Sequence, residues 1–242
     1  MWKRIRLCAA ICGAGALLAM MAGCAGRTDR LPADQAFALS ASALSGTDSY
    51  GFKGELAMFN PWGAMETKAA FEGEVNRHGN LKLNWTTTDK GKAAADLPAE
   101  GQSGAGYRPL SLLEPLGSAT SSIVYADSPS AGEPVRIRIR LDEDAAKRRI
   151  ADGLREELAD MKADKRLYAK DPQETRSSLE AADRRLEAAL ATLKVDTVVI
   201  WTANPKNWFP VRMAEETELT YEWEGKSYSE KRTSETNFLA KE

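Results

Sequence analysis

The sequence predicts an α+β domain: a curved antiparallel β-sheet with packed helices and an inserted helical hairpin. Two blocks of apolar residues alternating at period 2, within 50–85 and 195–238, flank a highly charged stretch with helical periodicity, 142–194. Short turn sequences separate the strand-like segments within each block, as in a meander of antiparallel neighbours. Gly54 and Gly73 fall on the apolar face of their strands, where a missing side chain lets a sheet bend or another element approach closely.

The chain opens with Lys3, Arg4 and Arg6, an apolar run from Leu7 to Met21, then Ala22-Gly23-Cys24. A basic start, an apolar middle and small residues form the three-part layout of a secretory signal. The run from Leu7 is only about 17 residues, against about 20 for a membrane-spanning helix. Met21-Ala22-Gly23-Cys24 resembles the lipobox of bacterial lipoproteins, with Met21 in the usual leucine position. The resemblance implies a cleaved signal peptide over 1–23, a diacylglycerol on Cys24, a lipid-anchored tether over 24–32 and a single domain over 33–242. It places the protein outside the cytoplasm, on the outer face of the cell membrane. Two or more acyl chains hold a protein there firmly where one would not.

Without residues 1–23 the chain keeps 30 basic and 35 acidic residues, a net charge of −5. Such a chain is a poor binder of nucleic acid by bulk charge. Cys8 and Cys12 leave with the signal and Cys24 carries lipid, so no disulfide framework is expected.

In chain order, Ala33 to Leu44 carries Phe37, Ala41 and Leu44 at helical spacing with Gly46 in the place of a C-terminal cap, which predicts a short helix; the alternative is more tether. Tyr50 to Met58 alternates apolar residues with Lys53 and Glu55, the pattern of a strand with one wet face. Asn60-Pro61-Trp62-Gly63 turns the chain, Ala69 to Val75 continues the alternation, and a turn through His78 leads to Leu81, Leu83 and Trp85. Periodicity is lost from 86 to 108, a long connection. Pro109 to Leu116 predicts a turn of helix on the sheet's open side, and 121–126 a strand. Val135 to Leu141 is the cleanest alternation, with Arg136, Arg138 and Arg140 in a row on its outer face. That row is either a site for phosphate or carboxylate or a solvated face paired with acids on neighbouring strands.

Asp142 to Tyr168 places Ala146, Ile150, Leu154, Leu158 and Met161 on one helical face, with acids at its positive end. Asp171, Pro172 and Glu174 then read as N-cap, first helical residue and capping-box acid of a second helix with Leu179, Ala182, Leu186, Ala189 and Leu193 on its seam. Strands resume at Val195 to Trp201. After the turn Asn204-Pro205-Lys206-Asn207 the longest strand, from Phe209, carries Met213, Glu215, Thr217, Leu219, Tyr221 and Trp223 on one face. Glu224-Gly225 makes a tight hairpin. The last strand, Lys226 to Phe238, is mostly polar and is expected at an edge of the sheet.

Val198 to Met213, Thr220 to Lys226 and Asn237-Phe238, with the opening Tyr50 to Leu56, are similar to segments of small Gram-positive lipoproteins that look like relatives of the Lol-type lipoprotein carriers and of LppX-like lipoproteins. The resemblance implies a half-barrel whose concave face holds an apolar cavity closed by helices. The hairpin at 142–194 is larger than that group carries.

Catalysis lacks its parts. The one histidine, His78, falls in a predicted turn, zinc clusters lack their ligands, and no nucleophile elbow, phosphate loop or dinucleotide fingerprint is present; a pair of carboxylates could still cleave a glycoside, but nothing distinguishes any pair among the 35 acids. Neither a metal nor a cofactor is implied beyond the lipid on Cys24. Two non-enzymatic expectations remain. One is a tethered binding protein taking a lipid or other apolar ligand, with Phe52, Leu56, Phe71, Trp85, Trp201, Leu219 and Tyr221 as candidate lining residues, since most pockets are lined this way. The same residues could equally form a filled core. The other is an envelope interaction module whose partner is a protein held by the helical hairpin.

Replacing Cys24 by serine is expected to abolish metabolic labelling with a radioactive fatty acid and to leave an unprocessed precursor or a released protein. Undiminished labelling would remove the anchor assignment.

Overall fold

The computed structural model describes residues 31–76, 80–87 and 109–241. The signal segment, Cys24, most of the tether, His78 and the connection 88–108 lie outside the described residues. Eight strands form one open, wholly antiparallel sheet: β1 (Tyr50–Phe59), β2 (Met65–Val75), β3 (Leu81–Thr87), β4 (Thr120–Tyr125), β5 (Val135–Leu141), β6 (Lys194–Ala203), β7 (Pro210–Trp223) and β8 (Lys226–Ala240). Their order is β3-β2-β1-β8-β7-β6-β5-β4. Four α-helices accompany them: α1 (Ala33–Ser45), α2 (Leu113–Ser118), α3 (Glu143–Ala163) and α4 (Pro172–Thr192). No described helix is long and apolar enough to cross a membrane.

The last strand is not at an edge. β8 pairs with β1 on one side and β7 on the other, which joins the N-terminal meander to the C-terminal half of the sheet. Its polar character has a different cause: the inward-facing Ser234 is buried, and its hydroxyl donates to the Glu215 carboxylate on β7 at 3.3 Å. The edges are β3 and β4. At 15 residues β8 is also one longer than β7, against the expectation for the strand from Phe209.

Strand register puts one row of side chains on the same face across all eight strands: Tyr125, Ile137, Trp201, Met213, Thr236, Gly54, Phe71 and Trp85. Alternation within each strand then assigns its other residues to the inner or outer face. On the inner face β5 buries Val135, Ile137, Ile139 and Leu141 while Arg136, Arg138 and Arg140 stay exposed. α1 covers Trp201. The ring of Phe37 meets the indole edge-on at 5.4 Å, and the indole N–H donates to the Ser40 hydroxyl at 2.9 Å, satisfying a donor buried with it. Gly46 caps α1 in a right-handed conformation, so no left-handed residue ends that helix.

Gly54 is required by close approach. A Cβ there would lie 1.9 Å from the Glu235 carbonyl oxygen and 2.6 Å from the Phe71 ring, and at Gly73 the Phe52 ring would be 2.4 Å away. The two phenylalanines thus occupy the space that the glycines leave. The β7–β8 turn has positive φ at Glu224 (51°) and Gly225 (75°), the backbone of a type I′ hairpin.

α3 and α4 run antiparallel and are tied by ion pairs of Arg155 with Glu187 (2.8 Å) and Lys162 with Asp183 (3.0 Å). The break falls before Pro172, where the Asp171 carboxylate accepts from the N–H groups of Gln173 and Glu174. α3 ends at Ala163, earlier than its periodicity predicts, because Asp164 caps a separate 3-10 turn at Lys165–Tyr168. Where the pair meets the sheet, α3 on β6 and α4 on β7, it buries Ala145, Ala146, Ile150, Ala151 and Leu158 of α3 and Ala189 and Leu190 of α4. Farther out the seam is wetter, with Ala182 and Met161 exposed.

Gly54→Ala is expected to destabilise the fold by about 2–4 kcal/mol in urea unfolding, since backbone would have to move to admit the methyl group. Gly117→Ala, where nothing lies within 4 Å of the added atom, serves as the control and should leave the midpoint nearly unchanged.

Candidate functional site

The seven candidate lining residues share the inner face but divide into three groups. Trp201 is fully buried under α1 and meets Phe238 at 5.7 Å. Phe52 and Phe71 are buried, with Leu56, in the β1–β2 part of the sheet, and Phe71 contacts the partly buried Trp85 at 5.3 Å. Leu219 and Tyr221 lie at the far end of β7. The first two groups belong to the filled hydrophobic core: between Trp201 and Trp85 the row is occupied by Met213, Thr236 and Phe71.

Open apolar volume on this face occurs beside the third group. A pocket of about 430 Å³ lies between the helix pair and the β7–β8 hairpin. Its helical wall is Leu154 of α3 with Leu186, Ala189 and Leu190 of α4, and Leu193 closes the base. The sheet supplies Leu219, Tyr221, Trp223, Tyr228, Glu230 and Arg232. Sequence logic explains each wall. Leu154, Leu186 and Leu193 are seam residues of amphipathic helices, and the two-residue turn at Glu224-Gly225 brings Tyr221 opposite Tyr228. Their rings stack at 5.9 Å and 21°. Nothing in the apolar pattern announces Arg232 or Glu230, because charged residues in a polar strand read as solvated.

Polar groups in and beside the pocket are unevenly satisfied. The Tyr221 hydroxyl donates to Glu230, and burial together with that acid pushes the phenol far above its ordinary range. Next along the sheet, Arg149 of α3 reaches down to Glu215 of β7 in a buried ion pair, their side chains 11% and 4% exposed. Thr217 donates to the same carboxylate at 2.8 Å and in turn meets Thr197 at 3.0 Å. Among the described residues the Arg232 guanidinium forms no ion pair of this kind. Its Nε is buried without a hydrogen bond, as is the Nε of Arg149, and burial lowers the affinity of Arg232 for a proton. Glu157 of α3, also partly buried, has its carboxyl pushed up by desolvation, with Arg232 opposing.

The opposite, helix-free face carries an open groove of about 780 Å³ crossed by charged side chains. Arg138 and Arg140 of the arginine row line it, and two of the row's three are ion-paired: Arg136 with Asp127 (2.6 Å) and Arg140 with Asp196 (3.2 Å). The groove's other cations are paired likewise, Lys68 with Glu55 and Arg212 with Glu235. These contacts describe a solvated face paired across strands.

No protein-family model matches the chain, and no curated protein matches its sequence. Among solved structures, a LolA superfamily protein from Nitrosomonas europaea aligns over 88% of this chain and 94% of its own at 7% identity, with a TM-score of 0.25. An acyl-CoA thioesterase II from Mycobacterium marinum aligns over 86% and 90% at 12% identity, with a TM-score of 0.15. TM-scores this low do not establish a common fold.

Removing one partner of the buried ion pair strands the other charge beneath α3. Arg149→Met is expected to cost about 3 kcal/mol of folding stability. Arg149→Met with Glu215→Leu should cost less than the sum of the single changes, with a coupling of about 0.5–3 kcal/mol in a double-mutant cycle followed by urea unfolding.

Proposed function

We propose that this chain is a lipid-anchored, extracytoplasmic, non-catalytic lipoprotein that accommodates an apolar ligand between its sheet and its helix pair. The anchor is the diacylglycerol expected on Cys24. In this reading the sheet acts as a half-barrel, and the binding site is the pocket beneath the α3–α4 hairpin rather than the Trp85–Trp201 stretch.

The observation that carries the reading is the pocket itself. Its volume of about 430 Å³ lies within the range of roughly 300–1,000 Å³ that small-molecule sites occupy. Leucines and aromatic rings form most of its wall, with few polar groups. An apolar chain entering it would remove this surface from water at about 25 cal/mol per Å². A second reading, an envelope module that docks a protein partner through the hairpin, is favoured by Met161 and Leu167, which are 42% and 44% exposed at its outer end.

The two readings separate in one assay. The chain over 24–242, carrying Cys24→Ser, is expected to bind a fluorescent fatty acid saturably, and Leu190→Glu to weaken that binding at least tenfold by burying a charge against the ligand. A thermal unfolding curve of each protein distinguishes lost binding from lost folding. No saturable binding by the unmutated pocket would leave the interaction module as the better reading.

A further inference from the structure

We propose that the pocket selects an amphiphile with one acyl chain and an anionic head, a carboxylate or a phosphate ester, and that Arg232 holds the head. The inference rests on the apolar-ligand reading above and adds the chemical class of the ligand.

Arg232 is the one cation among the residues that line the pocket. A guanidinium withdrawn from water costs free energy unless its donors are met, and an oxyanion can meet two at once. The charged groups packed around it do not fill that role. Glu215 is engaged by Arg149, Thr217 and Ser234, and Glu230 accepts from Tyr221. Glu157, from α3, is the remaining acid; desolvation raises its carboxyl, with the Arg232 charge opposing. Burial disfavours the Arg232 charge most; Glu230, Glu157 and Glu215 support it through space and Arg149 opposes it. Arg232 therefore sits beside an apolar volume with no hydrogen bond at Nε and no acid in a paired geometry. A molecule that fits both features has a hydrocarbon tail for Leu154, Leu186 and Leu190 and a negative head at the Arg232 end.

The test is calorimetric titration of the 24–242 chain carrying Cys24→Ser with three ligands sharing a twelve-carbon tail: laurate, dodecyl phosphate and dodecanol, each below its aggregation concentration. Laurate or dodecyl phosphate is expected to bind at least tenfold more tightly than dodecanol, and the tighter of the two identifies a free fatty acid or a phosphate ester as the preferred head. Arg232→Met should bring both anions down to the level of dodecanol while leaving dodecanol binding in place, and Arg232→Lys should keep part of the preference. Dodecanol binding as tightly as the anions, or an anion preference that survives Arg232→Met, would overturn the assignment and leave the apolar pocket standing. Absence of binding by all three would overturn the pocket reading as well. The comparison within the unmutated protein decides the matter even where a variant fails to fold.

Discussion

The structure depends on one constraint: an eight-stranded open sheet buries one face, and that face must be covered. Trp201 lies on it, and what covers Trp201 shows the physics at work. Phe37 supplies apolar contact and Ser40 supplies the acceptor for the indole N–H, both from one amphipathic helix near the N-terminus. An indole buried without that hydroxyl would leave a donor unsatisfied, at a cost of about 1–3 kcal/mol. The helix N-terminal to the sheet thus belongs to the core. Its start is tied down again where the Tyr125 hydroxyl of the edge strand β4 donates to the Leu31 carbonyl at 2.5 Å.

Cover is supplied differently along the face. Toward Trp85 it comes partly from within the sheet: Phe71 and Phe52 lie over Gly54 and Gly73, an exchange of side-chain volume between neighbouring strands that leaves little space. Toward the β7–β8 turn the cover is the α3–α4 pair, which packs Ile150, Ala151 and Leu190 into the core and adds a buried polar contact. Arg149 and Glu215 fix where α3 stands over the sheet, since a buried charge pair tolerates little displacement once its hydrogen bonds are set. Beyond that pin the helices and the hairpin diverge in what they offer each other. Leucines face tyrosines across a gap, and an unpaired guanidinium borders it. Filled core and open pocket are therefore parts of one face, distinguished by whether a glycine-and-ring exchange or a pinned helix provides the roof.

The helix-free face follows ordinary surface rules. Its lysines and arginines meet acids on adjacent strands, and exposed pairs of this kind contribute only about 0–1 kcal/mol each. They keep an open, wide sheet soluble on its second side and fix little else.

The residue pattern by itself determined the strands, the turns and the division of charged from apolar faces, because each depends on neighbours two to four positions away. The Val135–Leu141 alternation, the type I′ residues Glu224-Gly225, and Asp171-Pro172 as a helix start are all local chemistry. It also singled out Gly54 and Gly73, since a glycine on a buried face needs a reason, and the Tyr221 and Leu219 side of the pocket. Tertiary structure decided what local pattern does not encode. β8 looks like an edge because its inward residues are polar, yet it is central, since its partners Glu215 and β1 come from distant parts of the chain. Arg232 became part of a pocket for the same reason: its significance lies in the helices that roof it and in acids already bonded elsewhere, and a charge in a polar strand carries no sign of either. The period put each of the seven aromatic and aliphatic residues on the apolar face of its own strand, but that these faces coincide follows from the pairing of distant strands, and whether the shared face is filled or open is set by the volume of what packs on it; only the folded chain fixes both.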